Sequence, residues 1–259
     1  MLIRLEDVVK VFERDKRRLV ALDGVTMDVR AGEFLGIVGP SGCGKSTLLS
    51  LIAGLDAPTS GTVGFVGDQQ AQTRTAMVWQ DYRLLPWRMI DTNVGLGPEF
   101  RRRPEEERQG VVQRLLHKVR LQGFEQFFPA QLSGGMKQKA GIARALANDP
   151  EVLLMDEPFA HLDALNRRMM QLELLELWET THKTVVYVTH SIDEAVLMSD
   201  RVAVMSARPG TIKDFVTIEL PRPRTAEMMT HPALVAANQR IWELLESEVR
   251  RSGQGAREE

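Results

Sequence analysis

The chain has 259 residues, of which 43% are hydrophobic and 26% charged, with a formal net charge of -2. That length admits one large domain or two small ones around a sizeable core, and the near-neutral balance gives no electrostatic case for nucleic acid as a partner. No stretch approaches the roughly 20 apolar residues of a membrane span, and Met1-Leu2-Ile3-Arg4-Leu5-Glu6-Asp7 has acids where a secretory signal has basic residues, so a soluble, unprocessed, cytoplasmic protein is expected.

Residues 2–11 alternate as a first strand, which Phe12 closes before a polar turn at 13–18. Residues 19–29 read as a second strand. Phe34-Leu35-Gly36-Ile37-Val38 is the apolar run of a buried strand, and Leu48-Leu49-Ser50-Leu51-Ile52-Ala53 reads as a helix. Between them, Gly39-Pro40-Ser41-Gly42-Cys43-Gly44-Lys45-Ser46-Thr47 has the spacing G-x-x-x-x-G-K-[ST] of the phosphate-binding P-loop. Glycines there let backbone N–H groups converge on phosphate oxygens, and the helix start adds the positive end of its dipole. Lys45 can reach the β- and γ-phosphates, Ser46 can sit on Mg²⁺, and Thr47 can support the phosphates. The single cysteine, Cys43, has no mate for an internal disulfide, which suits a reducing compartment. It reads as a small residue that fits the loop, because no histidine base stands beside it in sequence.

Residues 54–61 form a turn cluster. Residues 63–66 and 76–79 read as short strands of an antiparallel β lobe beside the P-loop core. Gln80 then opens an irregular stretch in which Pro86 blocks a helix. Its Leu84, Leu85 and Trp87 suit core packing singly and a docking surface together. Arg101-Arg102-Arg103-Pro104-Glu105-Glu106-Glu107 is an ordinary helix start, with proline and acids in the first turn. Val111, Val112, Leu115, Leu116 and Val119 follow on one face, and Gly123 closes the helix. In Leu132-Ser133-Gly134-Gly135-Met136-Lys137-Gln138, Ser133 is an N-cap for a helix reaching about residue 147. That is a second anion-ready helix start.

Val152-Leu153-Leu154-Met155 is an apolar strand that delivers Asp156 and Glu157 at its carboxyl end, where ligands bind in open α/β sheets. One carboxylate there can hold Mg²⁺ and its neighbour can take a proton from an attacking water. Residues 162–178 read as a helix with Leu165, Met169, Leu172 and Leu175 inward. A further strand at 185–189 ends on His190, placed for a γ-phosphate contact, and Ser191-Ile192-Asp193-Glu194 has capping-box spacing. A strand pair at 202–205 and 215–218, a linker at 221–223, an amphipathic helix from 232 to about 250 and a disordered polar end at 252–259 complete the reading. The fold class expected is α/β: a P-loop NTPase core of mainly parallel sheet flanked by helices, with an antiparallel β lobe and a helical subdomain.

The Leu132–Gln138 motif resembles the signature of ATP-binding cassette (ABC) ATPases, between the P-loop and Leu153-Leu154-Met155-Asp156-Glu157-Pro158. Gln80 resembles the Q-loop glutamine, Leu162-Asp163 the D-loop, His190 the switch histidine, and Phe12 the aromatic that stacks on adenine. Leu84-Leu85-Pro86-Trp87, Met155-Asp156-Glu157-Pro158-Phe159 and Met205-Ser206-Ala207-Arg208-Pro209-Gly210 resemble nitrate/sulfonate/taurine-type importer ATPases. His161, Ser191 and Lys139 depart from the usual pattern; His161 adds bulk at the D-loop.

The resemblance implies an ATP-binding domain over 1–220, with a helical subdomain at about 84–147, and a C-terminal helix and tail over 221–259. It implies a homodimer that sandwiches ATP and Mg²⁺, with Ser133, Gly134 and Gly135 meeting the γ-phosphate in trans and Asp163 at the seam. Glu157 would polarise water, Asp156, Ser46 and Gln80 would serve Mg²⁺, and His190 would steady the γ-phosphate. Leu84 to Trp87 would receive a helix of a membrane permease, with a solute-binding protein as an indirect partner. A peripheral place on the cytoplasmic face of the inner membrane of a bacterium follows. An exporter ATPase, or a soluble ABC ATPase of DNA repair or translation, stands as the alternative.

Overall fold

A computed structural model describes residues 1–14, 17–66 and 74–255. β1 (Ile3–Arg14), β2 (Arg17–Val29) and β4 (Ser60–Phe65) form an antiparallel sheet in the order β2-β1-β4. The main sheet is built from β3 (Phe34–Val38), β5 (Thr75–Val78), β6 (Val152–Asp156), β7 (Thr184–Thr189), β8 (Arg201–Met205) and β9 (Ile212–Thr217). Its order is β5-β6-β7-β3-β8-β9, parallel except for the antiparallel β9 edge. The carboxyl ends of β3, β6, β7 and β8 therefore share one end of the sheet, and that end carries the site.

β3 shows why these strands read as unbroken apolar runs. Every one of its residues is buried. Phe34 and Val38 face one core, Leu35 and Ile37 the other, as a strand's twofold alternation dictates for a sheet covered on both sides. On the first face α6 (Ala164–Thr181), α7 (Ile192–Met198) and α8 (Pro232–Gly255) supply Trp178, Met198 and Ile241. On the other, α1 (Lys45–Ile52) presents Leu48, Leu49 and Ile52 to a core shared with Ile3 and Val29 of the antiparallel lobe. A third cluster joins α2 (Ile90–Val94), α4 (Glu105–Lys118) and α5 (Gly134–Leu146), with the short α3 (Leu96–Phe100) between α2 and α4.

Several sequence expectations change. β1 runs through Phe12, which pairs with Leu19, so Phe12 lies inside a strand. Asp15 and Lys16 of the expected turn lie outside the described residues. β5 leaves the lobe and joins the main sheet beside β6, because all of its partners there are parallel. α4 ends at Lys118, ahead of Gly123, whose positive φ serves the following turn. In α6, Leu165 and Met169 are exposed, and the inward face is Met170, Leu174, Leu175 and Trp178. Leucines and methionines nearly encircle this helix, so apolar spacing admits two phases. The edge-on packing of Trp178 against Phe34, with centroids 5.8 Å apart, selects the one observed. α8 continues to Gly255, past the point where disorder was expected, and 256–259 lie outside the described residues.

Candidate nucleotide-binding site

The loop from Gly39 to Gly44 joins β3 to α1 and opens a cleft of about 330 Å³. Phe12, Ser41, Gly42, Gly44, Lys45, Ser46, Thr47 and Glu157 line it, with Leu19, Ala21 and Arg208. Gly44 is the N-cap of α1 with φ 99°, and a Cβ there would sit 2.7 Å from Leu22 Cδ2, so only glycine fits. α1 has no side-chain cap, which leaves its first N–H groups for an anion. Lys45 is buried and donates from Nζ to the carbonyl oxygens of Gly39 (2.8 Å) and Pro40 (3.0 Å). Turning the Gly39 and Pro40 carbonyls toward Lys45 leaves N–H groups of the loop other than that of Cys43, which donates to Pro40 O, to face the cleft. Cys43 is buried beneath the loop, and burial pushes its thiol up from the ordinary value, so it behaves as a packing residue.

Two strand ends meet the loop. Ser46 Oγ donates to Asp156 Oδ1 at 3.0 Å. Burial raises the Asp156 carboxyl above its usual range; the Ser46 bond opposes this, Glu157's charge adds to it, and Lys45 opposes it. Glu157 follows in the left-handed region, with φ 44°, and its N–H donates to Val188 O at 2.9 Å. A non-glycine residue held there is strained, and such strain clusters at functional sites. The turn aims Glu157 at His190, whose Nδ1 lies 3.0 Å from Glu157 Oε2. β6 and β7 are neighbours, so both residues arrive from adjacent strand ends. Ser191 caps α7 by accepting from the Glu194 N–H at 3.3 Å. The other half of the capping box is spent elsewhere: Glu194 Oε2 accepts from Thr189 Oγ1 (2.7 Å) and Tyr187 OH (3.2 Å), which braces the strand that carries His190.

Other predicted residues stand away from the cleft. Gln80 is exposed, just beyond β5. Ser133 caps α5, accepting from the Met136 N–H at 3.3 Å, and is exposed. Gly134 lies against Tyr82 and Leu162. Asp163 caps α6, its Oδ1 accepting from the Asn166 N–H at 3.1 Å. Asn166 holds its carboxyl below the usual value. Arg144 of α5 donates to the carbonyls of Tyr82 and Arg83, tying the stretch after Gln80 to the signature helix.

A strand-end phosphate loop, an adjacent carboxylate pair and a capped glycine helix start describe a nucleotide site. Residues 22–160 match the ABC transporter family. The chain belongs to that family. It is an ATP hydrolase of the cassette type. It is 47% identical to the uncharacterized ABC transporter ATP-binding protein MJ0412 of Methanocaldococcus jannaschii, over 96% of this chain and 93% of that one. It is 39% identical to the aliphatic sulfonates import ATP-binding protein SsuB of Bacillus cereus, over 87% of this chain and 89% of that one. It is 41% identical to the bicarbonate transport ATP-binding protein CmpC of Synechococcus elongatus, over 93% of this chain and 37% of that longer one. Among solved structures, the dimeric post-hydrolysis state of the cassette MJ0796 bound to ADP and Pi matches with TM-score 0.74 and 32% identity, over 85% of this chain and all of that one.

Sequence reasoning gave no role to three side chains of this ABC ATPase that shape the site. Leu19 and Ala21 line the cleft from β2, a strand read only for its pattern. Arg208 belongs to a motif that carries only a family resemblance in sequence, yet it follows the carboxyl end of β8, beside β3. The rule that ligands gather at such ends would have found it. No helix among the described residues is long and apolar enough to cross a membrane.

Proposed function

We propose that this ABC ATPase powers the import of a small anion of the nitrate, sulfonate, taurine or bicarbonate type. The observation that carries the reading is its likeness over most of its length to subunits named for sulfonate and bicarbonate transport. In this reading two copies face each other. Each P-loop holds the phosphates of one ATP, and Ser133, Gly134 and Gly135 of the opposite copy close on the γ-phosphate. The exposed, capped start of α5, with no acidic residue in its first turn, supports this, since such an N-terminus is available to an anion brought by another chain.

The donor set suits Mg²⁺. Asp156 and Ser46 offer two hard oxygens in contact, and this cation takes few protein ligands, leaving its other positions to water and phosphate. Gln80 would complete the set once the loop closes. The bound cation would offset charge on the phosphates. Glu157 would take the proton of the attacking water, and His190, at 3.0 Å, would fix the carboxylate's orientation and steady the γ-phosphate. Phe12, 41% exposed on β1, would stack on adenine.

Coupling would run through the loop after Gln80. Buried Asn93 grips it, accepting from the Leu85 N–H (2.8 Å) and donating to the carbonyls of Leu85 (3.1 Å), Arg88 (2.9 Å) and Met89 (3.0 Å). The loop is thus held in a shape that leaves Trp87 71% exposed. A side chain of that size, held outward, suits a partner helix, and a permease partner would keep the chain on the cytoplasmic membrane face. The test is a pull-down with tagged Glu157→Gln, ATP and Mg²⁺ from detergent-extracted source membranes. A multispanning permease is expected. Recovery of soluble or nucleic-acid partners alone from well-extracted membranes would overturn the transport reading.

A further inference from the structure

Arg208 sits on the link between β8 and β9, residues 206–211, exposed at the mouth of the cleft. Its Nε donates to Gly42 O at 3.2 Å, and a Cβ at Gly42 would lie 2.8 Å from its Nη2, so the guanidinium lies across the middle of the P-loop. Among the described residues no carboxylate pairs with it. An arginine has five N–H donors, and one is used here. The rest remain for a ligand in the cleft that holds Lys45 and Ser46.

The link is held on several sides. Gly210 donates its N–H to Ala21 O and accepts from the Asp23 N–H, both at 3.0 Å. Ser206 and Thr211 close it upon itself, through Ser206 N–H to Thr211 O (3.0 Å) and Thr211 N–H to Ser206 Oγ (2.9 Å). Glu248 of α8 accepts from the Ala207 N–H (3.0 Å) and from Lys213 Nζ (2.8 Å). A side chain carried on a backbone held in this way has less freedom to lose on binding.

We propose that Arg208 is a nucleotide-binding residue that contacts the phosphate chain of ATP while keeping the Gly42 carbonyl turned outward. Lys45 and Arg208 then divide one task. Between them they hold the carbonyls of Gly39, Pro40 and Gly42, so the loop's N–H groups stay inward, and both bring positive charge to the phosphates. The fork geometry distinguishes Arg208 from a lysine, because it can hold the backbone and a phosphate oxygen at once. The role rests on the ATP site of the family and is independent of what is transported.

The experiment compares ATP, ADP and adenosine binding by calorimetry in full-length Arg208→Ala, Arg208→Gln and Arg208→Lys. Loss of a charge-assisted bond predicts ATP and ADP binding about tenfold weaker in Arg208→Ala, with adenosine unchanged. Arg208→Gln keeps an N–H for Gly42 O but no charge, and should be as weak as Arg208→Ala. Arg208→Lys should recover part of the loss. Wild-type ATP affinity in Arg208→Ala or Arg208→Gln, or an equal loss for adenosine, would overturn the proposal. Because the residue is exposed, thermal midpoints within a few degrees of wild type are expected in all three variants.

Discussion

Two helix starts in this chain follow glycines, and they are built differently. The start of α1 has no side-chain cap, and Lys45, Ser46, Asp156 and Glu157 of the same chain gather around it. The start of α5 is capped by Ser133, which is exposed, and Tyr82 and Leu162 lie beside its Gly134. The first is a site furnished from within. The second is a surface presented outward, and in the proposed dimer it would meet the phosphate held by the partner copy. In the proposed dimer the contrast would divide the work: each copy would own one furnished end and lend the other.

The sharpest way to break the furnished end is Glu157→Gln. The substitution keeps the shape and removes the proton acceptor, so steady-state hydrolysis should fall by about a hundredfold or more while ATP binding stays intact. Phosphate release and equilibrium binding, measured side by side, check this. Turnover near wild type would remove Glu157 as the base and leave the strained turn at φ 44° without a function.

Asp156→Asn separates charge from fold at the same end. Burial is the largest cause of the raised Asp156 carboxyl, so the native state disfavours its ionised form. The native state thus binds its proton more tightly than the unfolded chain. Stability from this group therefore declines as pH rises from the ordinary carboxylate range through the raised value. Asparagine removes that cost, so the nucleotide-free variant should melt higher than wild type at neutral pH, and the advantage should vanish in acid. Mg²⁺-dependent hydrolysis should be lost together with the gain. A lower melting point at neutral pH would mean that Ser46 and Lys45 outweigh desolvation.

The two ends can be tested against each other. Ser133→Arg should disable the lent end and Lys45→Ala the furnished end, each giving an inactive homodimer. Mixed and re-equilibrated, half the dimers pair one chain of each kind, and each such dimer has one intact composite site. Activity should return to about a quarter of wild type if sites act independently in a symmetric pair. No recovery, with exchange confirmed by differently tagged chains, would place the signature of α5 outside the catalytic site.

The furnished end was legible in the sequence because its geometry is local. A buried strand must end somewhere, and β3, β6 and β7 place Gly39, Glu157 and His190 at ends that the parallel sheet brings together. Pattern also placed the Ser133 cap. What it missed depends on packing between distant segments. The phase of α6 is decided by Trp178 against Phe34, far away in sequence. β5 belongs to the main sheet because of its pairing with β6, which no property of Ala76 or Val78 announces. Arg208 reaches Gly42 only because the β8–β9 link is folded over the P-loop.

The smallest expected effect on the isolated chain is at Trp87, and it sharpens the contrast most. An exposed tryptophan held by a loop rather than holding it adds little to the fold, so Trp87→Ser should change stability by less than about 0.5 kcal/mol and leave ATP binding unchanged. Asn93→Ala is the matched control. It removes the grip on the loop and takes the partner from the part-buried Leu85 N–H and Arg88 carbonyl, while the Leu85 and Met89 carbonyls keep backbone donors, at a cost of about 1–3 kcal/mol. If Trp87 faces a permease, reconstituted transport should fall in Trp87→Ser although the soluble enzyme is normal. In Asn93→Ala, stability and transport should fall together. Normal transport by Trp87→Ser would show that an outward tryptophan can be held in place without being used, and coupling would then have to be sought elsewhere along the stretch that Arg144 ties to α5.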